Sequence, residues 1–264
     1  MYLSCLLIDV GSNPDRPRPG RLWLRNLYRV HQRLCMAFPS ASRKSDDEDF
    51  LKPFKPEDFA SGQVHVARGS DAGFLFRIDP QPGGRVAILV QSAVKPDWDY
   101  AFHNAGYLLA APPELKSFEP RFAKGQHLRF RLVANPTKKI DTLQKEARQS
   151  HTKSELQAMK GRHGKRVPVP TDELVEWLAR RAGKAGFSID KRSIAVQPSY
   201  IYVNKTRDEK GQRLRSARYD GALTITDPAR FQETLVRGLR PGKAFGFGLL
   251  SVAPCQRSLR EEPT

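Results

Sequence analysis

Two side chains with acid–base chemistry lie three residues apart near the start of the chain, Tyr28 and His31. On a helix, residues at this spacing are neighbours in space. An imidazole gives or takes a proton near neutral pH. RNA supplies its own nucleophile, the 2′-hydroxyl, so one such group and positive charge around the phosphate suffice to cleave it without a metal. The pair therefore predicts a candidate metal-free phosphodiester-cleaving site, with His31 as the acid or base.

The same segment has a competing interpretation. A single helix is predicted over residues 21–38, where Pro39 ends it. His31 lies in the middle of an apolar stripe on that helix, formed by Leu24, Leu27, Leu34 and Phe38. Periodicity alone therefore favours a half-buried core histidine over a catalytic one.

Arginines recur every fourth residue on this predicted helix, at Arg21, Arg25, Arg29 and Arg33. Like charges at that spacing repel by roughly 0.2–0.5 kcal/mol per pair. The row therefore indicates either a face that binds an anion or a solvated face with splayed side chains, and both interpretations stay open. Arg25 and Arg29 are the predicted RNA contacts of this row.

A second basic segment runs from Lys138 to Arg166 and contains few apolar residues. Its density of charge predicts a phosphate clamp, with a solvated loop as the alternative. The predicted RNA contacts in it are Lys138, Lys139, Lys160, Arg162, Lys165 and Arg166.

The glycine-rich segment from Gly238 to Gly248 resembles a phosphate loop but fails as one. A Walker loop has four residues between its first glycine and a Gly-Lys pair, and a serine or threonine follows the lysine. Here only three residues separate Gly238 from Gly242, and Ala244 follows Lys243. Glycines still allow a backbone to approach a ligand closely. Gly242, Lys243, Gly246 and Gly248 are therefore predicted to hold RNA phosphates, and a structural turn into the last strand is the alternative.

Charge is the strongest global feature: 45 Lys and Arg against 28 Asp and Glu give a net charge of +17 in 264 residues. Such an excess predicts a polyanionic partner. No stretch of about eighteen apolar residues exists, so no helix is expected to span a membrane. No long basic amphipathic helix stands alone, so a membrane surface is not the expected partner either. The three cysteines are isolated and lack zinc spacing. We therefore expect a cytoplasmic protein without a metal or cofactor.

The element order predicts an α+β fold of two tandem ferredoxin-like (RRM-like, βαββαβ) domains. The first would span residues 1–123, with a long insertion at 40–73, and the second residues 124–254, followed by a tail at 255–264. In the first we expect a strand at 2–10, the helix at 21–38, a hairpin of 74–79 with 85–91, a short helix at 97–105 and an edge strand at 116–122. In the second we expect strands at 128–134, 199–203, 222–226 and 248–253, and helices at 172–182 and 228–239.

Six motifs in this order resemble the CasE-type CRISPR RNA endoribonucleases of the type I-E Cascade system. They span residues 1–254, although the insertion at 40–73 and the tail at 255–264 look additional. The motifs are 26–34 with Phe38-Pro39, the hairpin 74–92, Leu128-Arg-Phe-Arg-Leu-Val-Ala-Asn-Pro136, Gly164-Lys-Arg-Val-Pro168, Gly221-Ala-Leu-Thr-Ile-Thr226 and Gly242-Lys-Ala-Phe-Gly-Phe-Gly-Leu-Leu-Ser-Val-Ala-Pro254.

The resemblance implies an enzyme that binds the repeat stem-loop of precursor CRISPR RNA along a basic groove and cuts once at the stem base. The implied products are a 2′,3′-cyclic phosphate and a 5′-hydroxyl, and the implied catalytic residues are His31 with Tyr28. The protein would act as a free monomer in a prokaryotic cytoplasm and then stay on the mature CRISPR RNA with the Cascade backbone subunits. The alternative is a tandem RNA-recognition module without catalysis.

Overall fold

The computed structural model describes residues 1–13, 15, 18–39, 73–140, 165–203, 211–239 and 242–255. The predicted insertion at 40–73 lies outside the described residues apart from Gly73, and the predicted tail lies outside them apart from Cys255. Two predicted RNA contacts, Lys160 and Arg162, are also outside them.

The first half of the chain forms an antiparallel sheet of four strands in the order β2-β3-β1-β4. Helical segments follow β1 and β3, so both the element order and the strand order are those of a ferredoxin-like unit. The elements are β1 (Tyr2–Asp9), α1 (Pro19–Leu24), α2 (Leu27–Cys35), β2 (Phe74–Gln81), β3 (Arg85–Ser92), α3 (Trp98–Phe102) and β4 (Glu114–Ser117).

The prediction of one helix over 21–38 is wrong. This segment forms two helices, α1 and α2, which are separated at Arg25 and Asn26. Asn26 has an extended backbone, and its side-chain oxygen accepts hydrogen bonds from the backbone N–H groups of Tyr28 and Arg29. An asparagine in this role begins a new helix, because it satisfies donors that the first turn leaves unpaired. The predicted stripe of apolar residues and the row of four arginines are therefore both broken.

The second half repeats the architecture and confirms the predicted fold class. Its main sheet has the order β11-β5-β10-β8, and β9 also pairs with β10. The basic hairpin, which we define as β6 with β7, is a separate two-stranded sheet. The elements are β5 (His127–Ala134), β6 (Thr137–Ile140), β7 (Lys165–Pro168), α4 (Leu174–Ala182), β8 (Phe187–Ile189), β9 (Ala195–Val203), β10 (Gln212–Ile225), α5 (Pro228–Arg237) and β11 (Leu250–Pro254).

Alternation along the strands accounts for one core in each half. In β1 the side chains of Leu6 and Ile8 are buried, and they pack with Val30 and Leu34 from α2. In the second half the core includes the fully buried Trp177, whose ring stacks on another buried aromatic side chain. The boundary between domains near residue 124 stays a prediction.

Several predicted bounds shift. The edge strand predicted at 116–122 is β4, which ends at Ser117 before Pro120. The strand predicted at 222–226 is the end of β10, which begins at Gln212. The helix predicted to start after Asp227 is confirmed as α5, and the Asp227 side chain accepts from the backbone of Arg230.

A buried ion pair on β2 also bonds to the second half. Arg77 on β2 binds Asp79 on the same strand, with 2.8 Å between Nη2 and Oδ2. Arg77 also donates to the Arg131 carbonyl on β5 and to the Ser251 hydroxyl on β11. On β3, the Gln91 side chain donates to the Leu235 carbonyl of α5 across 2.6 Å. These hydrogen bonds join β2 and β3 of the first half to β5, β11 and α5 of the second half.

Candidate functional site

The first turns of α2 position the tyrosine and histidine. Because Asn26 caps this helix, Tyr28 and His31 lie on its first two turns. Their ring centroids are 6.3 Å apart. The structure thus brings the predicted pair together, as the spacing indicated, while the chemical roles of the two residues stay a prediction.

The His31 ring is half-buried in an aromatic environment. Its centroid lies 5.3 Å from that of Phe74 and 6.3 Å from that of Phe76, the latter nearly parallel. Its Nε2 atom lies 3.6 Å from the Sγ atom of Cys35, one turn further along α2. The buried residues of α2 are Val30, Leu34 and Cys35. The imidazole is therefore at the edge of the core face and not in its centre.

The glycine-rich segment lies against the same helix. The short 3₁₀ turn Lys243–Phe245 contacts α2. A Cβ atom added at Gly246 would lie 3.2 Å from the Phe76 ring, the ring that also stacks with His31. Phe76 is completely buried. It therefore contacts both the histidine and the glycine-rich turn, and it brings exposed Lys243 into the vicinity of α2.

Positive φ angles fix the path of this segment. Gly242, Gly246 and Gly248 have φ values of 97°, 78° and 95°, a region that side chains with a Cβ rarely adopt. The Gly248 N–H donates to the Val133 carbonyl of β5, and its own carbonyl accepts from Leu239. Residues 242–248 therefore form a structural turn into β11, and their place beside α2 also suits a phosphate-binding role.

The structure corrects the interpretation of the arginine row. Arg21 donates to the carbonyls of Val10 and Gly11. Arg33 donates to the Ala101 carbonyl and the Asn104 side chain, and its burial lowers the pKa of the guanidinium. The row therefore does not form one face for an anion, and its two end members support the fold.

Arg25 and Arg29 remain exposed, on the two sides of the Asn26 cap. They flank the turn of α2 that carries Tyr28. Both are thus accessible to a ligand at the start of the helix, and their predicted RNA contact stays a prediction.

The basic hairpin carries the remaining described candidates. Lys138 pairs with Glu173 at 2.9 Å, and both side chains are about 40% exposed. Lys139, Lys165 and Arg166 are exposed. An exposed ion pair contributes little to stability, so Lys138 can exchange Glu173 for a phosphate at small cost.

Sequence reasoning missed a second group of charged residues on β10. Arg213 and Arg215 lie on the part of this strand that was not predicted, beside Tyr200 of β9. The guanidinium of Arg213 lies 3.7 Å from the centroid of the Tyr200 ring. The sequence signal was weak, because adjacent polar residues at 212–213 and at 215–216 interrupt the alternation of polar and apolar residues.

Within the described part of the chain, no group of three or more His, Cys, Asp or Glu side chains has metal-binding geometry. None of its helices is long and apolar enough to cross a membrane.

The sequence of this chain matches a known protein family along most of its length. The family model for the CRISPR associated protein matches residues 1–254. The chain is 35% identical over 265 residues to the CRISPR-associated endoribonuclease Cse3 of Thermus thermophilus, covering 96% of this chain and 100% of the relative. It is 29% identical over 255 residues to the Cascade subunit CasE of Escherichia coli, with the same two coverages.

A solved structure agrees with these relatives. Thermus thermophilus Cse3 bound to an RNA representing a pre-cleavage complex superposes with a TM-score of 0.63 at 30% identity, covering 96% of this chain and 98% of that one. This chain therefore belongs to the CRISPR-associated protein family, and the resemblance predicted from the motifs is confirmed.

Proposed function

We propose that this protein is a CRISPR RNA endoribonuclease. It binds the repeat hairpin of precursor CRISPR RNA, cuts once at the base of the stem and stays bound as a Cascade subunit. Two relatives that it matches along their whole length support this proposal, because one is named an endoribonuclease and the other a Cascade subunit. The net charge of +17 supports a nucleic-acid partner.

The catalytic part of this proposal rests on the location of His31 at the edge of the core face of α2. Tyr28 lies one turn away, and the turn that contains Lys243 contacts the same helix. In the proposed reaction the ribose 2′-oxygen forms a bond to phosphorus as the bond from phosphorus to the 5′-oxygen breaks. His31 takes the 2′-hydroxyl proton or gives one to the leaving 5′-oxygen. Nearby cations stabilise the charge that builds on the phosphate oxygens.

The products of this reaction are a 2′,3′-cyclic phosphate and a 5′-hydroxyl, and no step needs a metal ion. We therefore expect a hairpin repeat RNA to be cut once in excess chelator, at the rate seen without chelator. Replacing the 2′-hydroxyl at the cut site by hydrogen is expected to abolish cutting and leave the Kd unchanged. Gel analysis of end-labelled RNA measures both, and cutting of the deoxy substrate would exclude the mechanism.

A specific observation favours a second function, a tandem RNA-recognition module without catalysis. The His31 ring packs on two phenylalanines and its Nε2 atom contacts Cys35, as a structural histidine would. This module would bind the hairpin tightly and leave it intact. The same gel therefore separates the two functions.

The exposed arginines at the start of α2 give a further prediction. Replacing both Arg25 and Arg29 by alanine is expected to weaken RNA binding and to reduce the slope of log K against log salt by about 2, because each phosphate contact contributes about 1. Fluorescence anisotropy at several salt concentrations measures the slope. Lys184→Ala with Arg192→Ala, another exposed pair of cations, is the matched control. Equal slopes for the two double variants would remove Arg25 and Arg29 from the RNA surface.

A further inference from the structure

Glu173, at the start of α4, holds a lysine of the basic hairpin. Its two carboxylate oxygens accept from the Lys138 ammonium at 2.9 and 3.0 Å. Glu173 occupies the N-cap position of α4, yet its side chain makes no capping hydrogen bond to the helix. Residues at this position usually turn their side chain back to the first turn of their own helix. The Glu173 carboxylate is directed at the hairpin instead.

Other contacts attach the hairpin to the second half. The Trp177 side chain donates to the Thr137 carbonyl across 3.2 Å, and the Val169 N–H donates to the Pro136 carbonyl across 3.0 Å. Trp177 and Val169 are each 1% exposed, whereas the two side chains of the ion pair are 41% and 40% exposed. An exposed ion pair contributes little to stability. This pair can therefore open without loosening the hairpin.

The basic hairpin borders the candidate site. Thr137 and Arg166 of the hairpin line one cavity together with Gly242 and Phe245 of the glycine-rich turn, and that turn contacts α2. The Arg166 guanidinium lies 3.4 Å from the Thr137 hydroxyl, and among the described residues no carboxylate pairs with it. An RNA that follows the hairpin to the site therefore meets one open arginine and, at Lys138, one cation that already holds an anion.

The carboxylate and an RNA phosphate compete for the same ammonium. Both present anionic oxygens that accept charge-assisted hydrogen bonds from a lysine at similar distances. A phosphate that approached Lys138 with Glu173 still in place would lie beside a like charge, and this repulsion would oppose its binding. A phosphate therefore binds Lys138 best when the carboxylate moves away.

We propose that Glu173 occupies the position of an RNA phosphate in the free protein and leaves it when RNA binds. The inference rests on the proposed function and adds a built-in competitor to its RNA surface. A free phosphate ion has to displace the carboxylate by itself. An RNA that is held at the site by other contacts presents its phosphate to Lys138 at high effective concentration and displaces the carboxylate readily.

Glu173→Gln tests this competition, because it keeps the size of the side chain and removes its charge. The RNA is a hairpin repeat made uncleavable by a 2′-deoxy substitution at the cut site. Its Kd is expected to fall about fivefold at low salt, the upper range for an exposed ion pair. The slope of log K against log salt should steepen by about 1, because Lys138 then neutralises a phosphate in full. Fluorescence anisotropy measures both quantities.

A second variant and a second background separate competition from a structural role. Glu173→Ser introduces a favoured N-cap residue, so it should keep α4 intact and tighten RNA binding in the same way. In a Lys138→Met background, Glu173→Gln should change the Kd by less than about twofold, because the two residues act through one contact. An equal effect in both backgrounds would overturn the proposal.

Glu176→Gln is the matched control. Glu176 lies on the same helix, pairs with Lys191 at an exposed position and loses the same charge on substitution. It is expected to leave the Kd within about twofold and the slope unchanged. If Glu173→Gln bound the hairpin as the wild type does, or more weakly because the carboxylate only orients Lys138, the competitor alone would be excluded. If the wild-type protein bound no hairpin RNA, the proposed function would fall together with it.

Discussion

Replacing His31 with alanine is expected to lower the single-turnover rate of hairpin cleavage by about 10²–10⁴-fold, the usual contribution of a general acid or base. The Kd for the same RNA should stay within about threefold, because one imidazole adds little to the electrostatic attraction of a chain with a net charge of +17. Rapid mixing of excess protein with labelled RNA gives the rate, and anisotropy with a 2′-deoxy RNA gives the Kd.

The control for this prediction is His127→Ala. His127 is exposed at the start of β5, where its Nδ1 atom lies 3.0 Å from the Thr224 hydroxyl. We expect wild-type cleavage from it. Tyr28→Phe, which keeps the ring beside His31 but removes the hydroxyl, should lower the rate and leave the Kd unchanged. If His31→Ala cleaved at the wild-type rate, the histidine would be the structural residue that its contacts with Phe74 and Phe76 also suit.

Strong local patterns predicted much of this fold. The strand at Tyr2–Asp9 alternates between buried and half-buried residues, and the hairpin of β2 with β3 turns at a Pro-Gly-Gly sequence. The start of α5 follows from an aspartate cap and a proline. Each of these signals lies within a few residues of the element that it specifies.

The break between α1 and α2 could not be predicted in the same way. Arg21 to Arg33 repeat with helical spacing on both sides of Asn26, and asparagine is tolerated inside helices at a modest cost. Only the folded structure decides that Asn26 caps a second helix and that Arg33 donates to the Ala101 carbonyl, far away in the sequence.

The candidate site, too, could be predicted from the sequence only in part. The spacing of Tyr28 and His31 predicted that they are neighbours. The contacts of His31 with Phe74 and Phe76, and of Phe76 with the glycine-rich turn, join segments that are distant in the sequence. Such contacts come from tertiary packing, which periodicity does not encode.

Arg77 and Asp79 form a buried ion pair on which the stability of the fold is expected to depend. Their side chains are 4% and 8% exposed. Burial of two charges is costly, and their attraction offsets that cost only while both are present. Arg77 also donates to the Arg131 carbonyl and the Ser251 hydroxyl of the second sheet, so its position fixes how the halves meet. Removing Asp79 leaves a buried guanidinium with only neutral hydrogen-bond partners on the second sheet.

Asp79→Ala is therefore expected to lower the free energy of unfolding by about 3–5 kcal/mol. Arg77→Met with Asp79→Leu removes both charges and should cost less than Asp79→Ala alone, because no unpaired charge stays buried. Urea unfolding followed by tryptophan fluorescence measures these differences. Glu233→Ala breaks the exposed pair with Arg237, whose side chains are 56% and 57% exposed, and should not shift the midpoint resolvably. If Asp79→Ala behaved like this surface control, the two halves would be held together by apolar packing and by the Gln91 hydrogen bond to α5 instead of by the ion pair.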